Sequence, residues 1–306
     1  MKEIREVDQG NFRKNHAVHE GENYLKNYYE VEPEESQFYT IGVDVTHRCN
    51  MECANCYSPI RHLPDVDQNG LIDFFRRLGR RTEVRLTGGE PTLREDLPVL
   101  IEAIAKYGHR PAIMTNGLKL SDRGYCKTLK EAGLKFVAIS LNGADDDEVY
   151  QQLDHRKCAR LKMLALKNII DLGFFLNINC ILVRGISDHI PLRLAHILKT
   201  HKVNGVIRFR NIGKLGRYME NSNLKFNEMI ENLAQAFGKD PNELRKLNRV
   251  NGYEEEHNIL FPLEENKKLN TTWIKVTDWR PTEQSIPDPK STRRGRMTKT
   301  FKVAPF

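Results

Sequence analysis

The sequence predicts an α/β protein built around a parallel sheet, on three observations. Strand-like and helix-like segments alternate between about residues 39 and 213, as they do in chains of βα units. Polar side chains recur near the C-terminal ends of the strands, where α/β folds place their sites. Apolar residues make up 39% of the chain, which is enough to build a core. The sheet is expected to be open or to close toward a barrel.

Apolar periodicity predicts the individual elements. The six predicted strands are 39–45, 82–88, 111–117, 135–143, 174–183 and 205–213. The five predicted helices between them are 67–79, 95–108, 121–133, 156–173 and 191–201. After residue 215 the pattern changes to a helical stretch at 223–237, a short helix from Asp240 and a strand at 273–279. We therefore expect an N-terminal extension (1–37), a core domain (38–215) and a C-terminal extension (216–306) of helices, one strand and a basic tail.

One face of most strands is polar. Successive side chains of a strand point to opposite faces, so each predicted strand has an apolar face and a face that carries polar groups. The polar pairs are Asp44 and Thr46, Arg85 and Thr87, Ser140 and Asn142, Asn177 and Asn179, and Arg208 and Arg210. Unpaired polar groups are costly to bury, so this face is expected to border water or a ligand. The alternative is a set of unrelated polar residues at strand ends.

The termini and the charge bound the class of protein. The N-terminus is charged throughout and lacks the apolar centre of a signal peptide. The chain has no run of 18 apolar residues, so no transmembrane helix is expected. We expect a cytoplasmic protein, in which cysteines stay reduced and serve as ligands or core residues. A net charge of +7 is compatible with a phosphate-bearing partner.

The stretch CNMECANC places Cys49, Cys53 and Cys56 directly after the first predicted strand. A structural zinc site needs four ligands and would have to add His47 or His62. An iron–sulfur cluster normally has four thiolates, so three would leave one iron open to a substrate or cofactor. The remaining cysteines do not form a pair with ligand spacing and are expected to be small core residues. They are Cys126, Cys158 and Cys180.

These motifs resemble those of the radical S-adenosylmethionine (SAM) superfamily. The cysteine stretch matches its CxxxCxxC loop, LTGGEP (86–91) matches its GGEP motif, and MTNG (114–117) and ISLNG (139–143) end strands at similar positions. The resemblance covers residues 38–213 and implies a partial (βα)6 TIM-like barrel. It implies that Cys49, Cys53 and Cys56 bind a [4Fe–4S] cluster whose fourth iron chelates SAM. Electron transfer to SAM would then yield a 5′-deoxyadenosyl radical that takes a hydrogen atom from the substrate.

The resemblance also implies which residues contact SAM. Gly88 and Gly89 are expected to let the backbone approach its methionine part, and Glu90 to accept from its ammonium. The remaining polar contacts to SAM are expected from Thr115, Ser140 and Asn142. One departure concerns the position before the third cysteine, where the family commonly has an aromatic residue. Asn55 stands there, and Tyr57 follows the cysteine.

The cationic strand end is expected to hold an anion. Arg208, Arg210 and Asn179 would contact the SAM carboxylate or an anionic substrate, since arginine suits carboxylate and phosphate. The alternative is an ion pair of the arginines with Asp44 inside the barrel.

The sequence does not identify the substrate. We expect a single cluster, because no cysteine follows residue 180, and an external one-electron donor of the flavodoxin or ferredoxin type. A small molecule or nucleotide is the favoured substrate. Modification of a nucleic acid or ribosomal peptide is the alternative, and a non-catalytic metal-binding scaffold is a remote one. With a macromolecular substrate, the basic tail would supply contacts to phosphates. Its cationic residues are Lys290, Arg293, Arg294, Arg296, Lys299 and Lys302.

Overall fold

A computed structural model of the chain describes residues 29–56, 61–199, 203–211, 224–251, 256–263, 272–278 and 294–305. Within these ranges the strands form one sheet. They are β1 (Thr40–Thr46), β2 (Glu83–Gly88), β3 (Arg110–Thr115), β4 (Phe136–Ser140), β5 (Phe175–Leu182), β6 (Gly205–Asn211), β7 (Arg249–Asn251), β8 (Glu256–Pro262), β9 (Trp273–Asp278), β10 (Arg294–Met297) and β11 (Val303–Pro305).

The described α-helices connect or cover these strands. They are α1 (Gln68–Arg77), α2 (Leu97–Lys106), α3 (Arg123–Glu131), α4 (Asp147–Asp154), α5 (Ala159–Asp171), α6 (Ile190–Lys199), α7 (Phe226–Phe237) and α8 (Pro241–Lys246). Side-chain caps fix several helix starts, as the Asp67 carboxylate accepts from the Gly70 N–H and Asp122 accepts from the Gly124 and Tyr125 N–H groups. Such caps satisfy donors that have no partner within the helix.

The strand order across the sheet is β11-β10-β1-β2-β3-β4-β5-β6-β9-β8-β7. Strands β1 to β6 are parallel to their neighbours in chain order. Two strands of the C-terminal extension continue the parallel set, β10 beside β1 and β9 beside β6. The predicted α/β fold with a parallel sheet is confirmed, and its sheet is not closed in the described residues.

Alternation along the strands separates two faces of the sheet. Apolar side chains that point to the helices are fully buried, as in Ile41, Val43, Ile207, Phe209 and Val276. The opposite face, here called the open face, carries the polar partners predicted from the sequence. Because β1 to β6 are parallel, their C-terminal ends meet at one edge of the sheet, where loops can share a site.

Two expectations about the elements differ from the structure. The segment expected as one helix at 156–173 is preceded by a separate helix, α4, whose start is capped by Asp146 through the Glu148 and Val149 N–H groups. The C-terminal extension holds five strands among its described residues and not one. Of the four that were missed, β8 has seven residues, and β7, β10 and β11 have three or four. Runs this short carry no detectable period of two.

No helix in the described part of the chain is both long enough and apolar enough to cross a bilayer.

Candidate active site at the carboxyl edge of the sheet

The cysteine loop leaves the C-terminal end of β1 and runs along the edge of the sheet. Cys49, Cys53 and Cys56 are partly buried and are not joined in disulfides. Burial raises the pKa of Cys49, and it raises that of Cys53 further, with a contribution from Asp154. The backbone N–H of Cys56 donates to the Cys53 carbonyl (3.1 Å), which folds the second half of the loop into a turn. Thiolates are the form that binds metal, so ligation must displace these protons.

The GGEP turn packs directly against the start of the cysteine loop. The Gly89 N–H donates to the Thr46 carbonyl (2.7 Å), and the Glu90 N–H donates to the Arg48 carbonyl (2.7 Å). A Cβ atom at Gly88, whose φ is +120°, would lie 2.2 Å from the Thr46 carbonyl oxygen, and one at Gly89 would lie 2.2 Å from that of Arg48. The glycines therefore permit a close approach to residues 46–48. Their predicted approach to SAM stays a prediction.

Glu90 joins the GGEP turn to the end of β3. Its side chain is 1% exposed. Oε1 accepts from the Thr92 N–H (3.1 Å), the Thr92 hydroxyl (2.6 Å) and the Thr115 hydroxyl (2.6 Å), and Oε2 accepts from the Asn116 N–H (2.6 Å). Glu90 and Thr115 thus form one buried network at the site. Their predicted contacts with SAM remain predictions, and the geometry gives both residues a positioning role as well.

Arg94 is a site residue that the motif search missed. It is 3% exposed and donates through Nη1 to the carbonyls of Val45 and Val66, each at 2.7 Å. Its other nitrogens form a bidentate pair with Asp96 at 2.8 and 2.6 Å. The Nη1 bonds hold the turn after GGEP against the end of β1, and the pair with Asp96 fixes the orientation of the guanidinium. An arginine three residues after a GGEP proline has no local pattern that marks it as buried.

The helix α4 holds the other side of the cysteine loop. The Ala54 N–H donates to the Leu153 carbonyl (2.8 Å), and Arg156 donates to the Asn50 carbonyl (3.1 Å). Asn50 also accepts through Oδ1 from the Asn116 amide (2.8 Å). The loop is therefore fixed from both sides, by the end of α4 and by the residues that follow β3.

A lateral row of polar side chains crosses the open face. In the strand register Ser140 is paired with Asn179, Asn179 with Arg208, and Arg208 with Lys275. The structure thus brings together three residues predicted from the sequence and adds Lys275 of β9. Arg210 lies two residues beyond Arg208 on the same face, opposite Thr277.

Asn142 and Asp44 are engaged within the protein. Asn142 is 5% exposed, donates to Asp154 (3.5 Å) and accepts from the Ile181 N–H (3.1 Å). It therefore links the chain after β4 to β5, and its contact with SAM stays a prediction. Asp44 forms an ion pair with Arg296 of β10. An ion pair of Asp44 with Arg208 or Arg210 was the alternative expected from the sequence, and Asp44 pairs with Arg296 instead. One hydrogen bond of Arg208 goes to the Thr277 hydroxyl (3.2 Å).

The three remaining cysteines are core residues, as predicted. Cys126, Cys158 and Cys180 are 1%, 3% and 0% exposed. Burial raises the pKa of Cys126 and Cys158 to about 11 each. Tyr57 lies outside the described residues, while Asn55 is partly buried in the loop. Within the described ranges, no three His, Cys, Asp or Glu side chains are close enough to share a single metal ion.

Similar proteins of known function include enzymes that act on heteroaromatic small molecules. The GTP 3′,8-cyclase of Aquifex aeolicus is 29% identical over 210 residues, which span 64% of this chain and 64% of the cyclase. The 7,8-dihydro-6-hydroxymethylpterin dimethyltransferase of Methanocaldococcus jannaschii is 30% identical over 177 residues, which span 55% of this chain and 32% of that protein. The chain thus covers less than two thirds of the length of these relatives.

Solved structures share the fold. A structure of anSMEcpe with bound AdoMet superposes with a TM-score of 0.51 at 20% identity, over 65% of this chain and 59% of that one. Streptococcus suis SuiB bound to the precursor peptide SuiA gives a TM-score of 0.50 at 18% identity, over 71% of this chain and 49% of that one. The fold is thus the TIM-like barrel architecture predicted above.

The family model of the radical SAM superfamily matches residues 43–198, about half of the 306 residues. The match spans the cysteine loop, the GGEP turn and the strand ends through β5. The chain belongs to the radical SAM superfamily.

Proposed function

We propose that the chain is a radical SAM enzyme that acts on an anionic small molecule, with a nucleotide as the favoured class. The observation that carries the substrate class is the polar row Ser140, Asn179, Arg208 and Lys275 on the open face. Adjacent strands are about 4.8 Å apart, so a row across four strands spans roughly 14 Å. This length suits a ligand of nucleotide size.

The cationic end of the row is the part that favours an anion. Arg208 and Lys275 are register partners on neighbouring parallel strands, so two cationic side chains lie side by side on the open face. Arginine suits bidentate contacts with a carboxylate or phosphate, and the neighbouring lysine adds to the attraction for an anion. Arg210 and Arg296 add positive charge to the same face, and Asp44 neutralises part of it through its ion pair with Arg296.

The residues present fit the cofactors of the superfamily, a [4Fe–4S] cluster and SAM. Cys49, Cys53 and Cys56 are reduced cysteines in one loop that the protein fixes from two sides, and each would bind a different iron. When bound, the cluster and SAM supply the reductive cleavage of SAM and the radical that abstracts hydrogen. The chain's own residues position this chemistry, with Glu90 and Thr115 ordering the edge beside the loop. Contacts of Gly88, Gly89, Glu90, Thr115, Ser140 and Asn142 with SAM are part of this proposal.

The relatives support a small substrate. One is named as a cyclase of GTP and the other as a methyltransferase of a pterin, both of which are heteroaromatic small molecules. Radical SAM enzymes need an external electron donor, and we propose a donor of the flavodoxin or ferredoxin type. We also propose that the chain acts in the cytoplasm. All six cysteines lie in described ranges and none is in a disulfide there, in keeping with a reducing compartment.

The experiment screens nucleotides and other phosphorylated small molecules with the anaerobically reconstituted enzyme. The readouts are 5′-deoxyadenosine formation and the deuterium that it gains from labelled candidates. A nucleotide that stimulates cleavage and transfers deuterium supports the proposal. The variants Arg208→Gln and Lys275→Gln should then raise the KM for that compound by about tenfold or more each, the value of one lost charged hydrogen bond. The control Lys246→Gln removes an exposed cation of α8 that pairs with Glu243.

Stimulation only by uncharged compounds, or an unchanged KM in both variants, would refute an anionic substrate. A macromolecular substrate makes a different prediction, namely retention on immobilised nucleic acid or binding of a peptide. Deleting the basic tail is a poor test of that alternative, because residues 294–305 form β10 and β11 of the sheet. Lys299→Gln, at an exposed position, tests the charge without removing a strand.

A further inference from the structure

A buried ion pair lies directly behind the cysteine loop. Asp154 ends α4 and Lys162 lies in the first turn of α5, and their side chains are 2% and 0% exposed with Oδ2 and Nζ 3.8 Å apart. The Lys162 ammonium donates to the Ser140 carbonyl (2.8 Å) and lies 5.0 Å from the centre of the Tyr150 ring. Removing two ions from water costs several kcal/mol each, and apolar side chains often serve stability as well. The pair therefore calls for an explanation beyond packing.

The carboxylate of this pair faces the central cysteine of the loop. Among the described residues, Asp154 Oδ2 is buried without a hydrogen-bond partner, and Oδ1 has only the long contact with Asn142 (3.5 Å). Asp154 lies close enough to the Cys53 side chain to interact with it directly. The residue before Asp154 holds the loop through the Leu153 carbonyl. One short segment thus fixes both the backbone and the electrostatic surroundings of Cys53.

We infer that the Asp154–Lys162 pair is a positioning element that sets the reduction potential of the cluster held by Cys49, Cys53 and Cys56. The potential of an iron–sulfur cluster depends on the net charge and hydrogen bonding around its sulfur atoms. Reduction adds one negative charge to the cluster. The carboxylate next to Cys53 opposes that charge, and the ammonium behind it offsets the carboxylate in part.

This inference goes beyond the proposed substrate, since it concerns the electron that enters the cluster and holds for any substrate. It also assigns a sign. Asp154 directly follows Leu153, whose carbonyl bonds the loop at Ala54, whereas the Lys162 ammonium donates to the Ser140 carbonyl. The carboxylate is therefore the charge attached to the loop, and the pair as a whole keeps the potential low. A low potential favours transfer of the electron onward to a bound acceptor. The lysine limits the effect through its charge, since its Nζ lies 3.8 Å from Oδ2.

The test is an EPR-monitored redox titration of the reconstituted cluster, without SAM and without substrate. The variant Asp154→Asn keeps the shape of the side chain and an oxygen that can accept from Asn142. It should raise the midpoint potential so that the ratio of reduced to oxidised cluster at a given potential increases about tenfold, which is 59 mV for one electron. The matched control is Asp171→Asn on α5, where Asp171 pairs with Lys167 (2.5 Å) and Arg123 (3.1 Å) at the surface. The control should leave the potential unchanged.

The double variant Asp154→Asn/Lys162→Met separates charge from folding. It removes both charges, so the potential should lie above that of the parent but below that of Asp154→Asn alone. Iron content and thermal unfolding of the metal-free proteins are measured in parallel. If Asp154→Asn shifts the potential no more than Asp171→Asn, or if the double variant matches the parent, the pair serves folding alone and the inference is wrong. Since neither SAM nor substrate is present, this outcome is independent of whether the proposed substrate class is correct.

Discussion

Gly89 lies so close to the chain before Cys49 that a side chain at this position should disrupt the packing of the two segments. In Gly89→Ala the new Cβ would lie 2.2 Å from the Arg48 carbonyl oxygen and 2.7 Å from that of His47. Ordinary contacts begin near about 3.5 Å, so the two segments must separate by roughly 1 Å. The Arg48 carbonyl is held in place, because it accepts from the Glu90 N–H at 2.7 Å.

The cost has two parts. Overpacking of a tight contact costs about 1–3 kcal/mol, and weakening the Glu90–Arg48 hydrogen bond adds about 0.5–1.5 kcal/mol. Gly42→Ala is the matched control, since it lies on β1, which leads into the same loop, and its nearest neighbour is the Gly295 carbonyl oxygen at 4.0 Å. Replacing glycine where there is room is neutral or stabilises by about 0.4–1 kcal/mol. We therefore expect Gly89→Ala to unfold with a free energy at least about 2 kcal/mol below that of Gly42→Ala.

Two measurements check this expectation. Urea unfolding of the metal-free proteins gives the free energies by linear extrapolation. Iron per chain after anaerobic reconstitution reports whether the displaced segment still presents Cys49, and Gly89→Ala should retain less iron than Gly42→Ala. Equal stability and equal iron content in the two variants would refute the idea that Gly89 is required for the approach of the GGEP turn to residues 46–48.

Three other predictions follow from buried groups. Glu90→Gln should lower the free energy of unfolding by about 2 kcal/mol, because an amide nitrogen would face the Asn116 N–H and leave that donor unpaired; the exposed Glu95→Gln should change it by less than about 0.5 kcal/mol. Burial lowers the pKa of His109, which donates to the Phe75 carbonyl (2.9 Å). The contribution of His109 to stability should therefore be full above the ordinary histidine pKa of about 6.5 and should be lost as the pH falls below it. In a pH series of urea unfolding, His109→Gln should remove this loss of stability at low pH. Cys126→Ser should keep about four irons per chain, whereas about eight irons in the parent would contradict a single cluster.

The scaffold could be predicted from the sequence because strands and helices each impose a regular spacing on apolar and polar residues. The alternation of β1 to β6 with helices and the polar face of Ser140, Asn179 and Arg208 are both visible as periods along the chain. The helix α4 was missed, although Asp146 followed by two acidic residues is a signal for a helix start. The helix predicted at 156–173 corresponds to α5, and no helix was predicted over 147–154.

Contacts between distant segments were beyond any such pattern. The ion pair of Asp44 with Arg296 joins residues 252 positions apart, and it exists because β10 returns to pair with β1 in parallel. The pairing of Asp154 with Lys162 is only eight positions apart in sequence, yet it depends on the turn at His155, whose φ is +51°, and on burial by two helices. From the sequence alone, a lysine on a helix is expected to be exposed to solvent, and only the packing around Lys162 shows that it is buried.

The arrangement of the sheet separates two tasks between its two sides. The strands β1 to β3 and the helix α4 hold the cysteine loop through main-chain bonds from Gly89, Glu90 and Ala54. The strands β6, β9 and β10 supply the cations Arg208, Lys275 and Arg296 of the open face. Two of these three strands belong to the C-terminal extension, which lies beyond the region that matches the family model. For the proposed anionic substrate, substitutions on β9 and β10 should change binding without disturbing the loop. The KM effect of Lys275→Gln and the iron content of Gly89→Ala are therefore expected to vary independently.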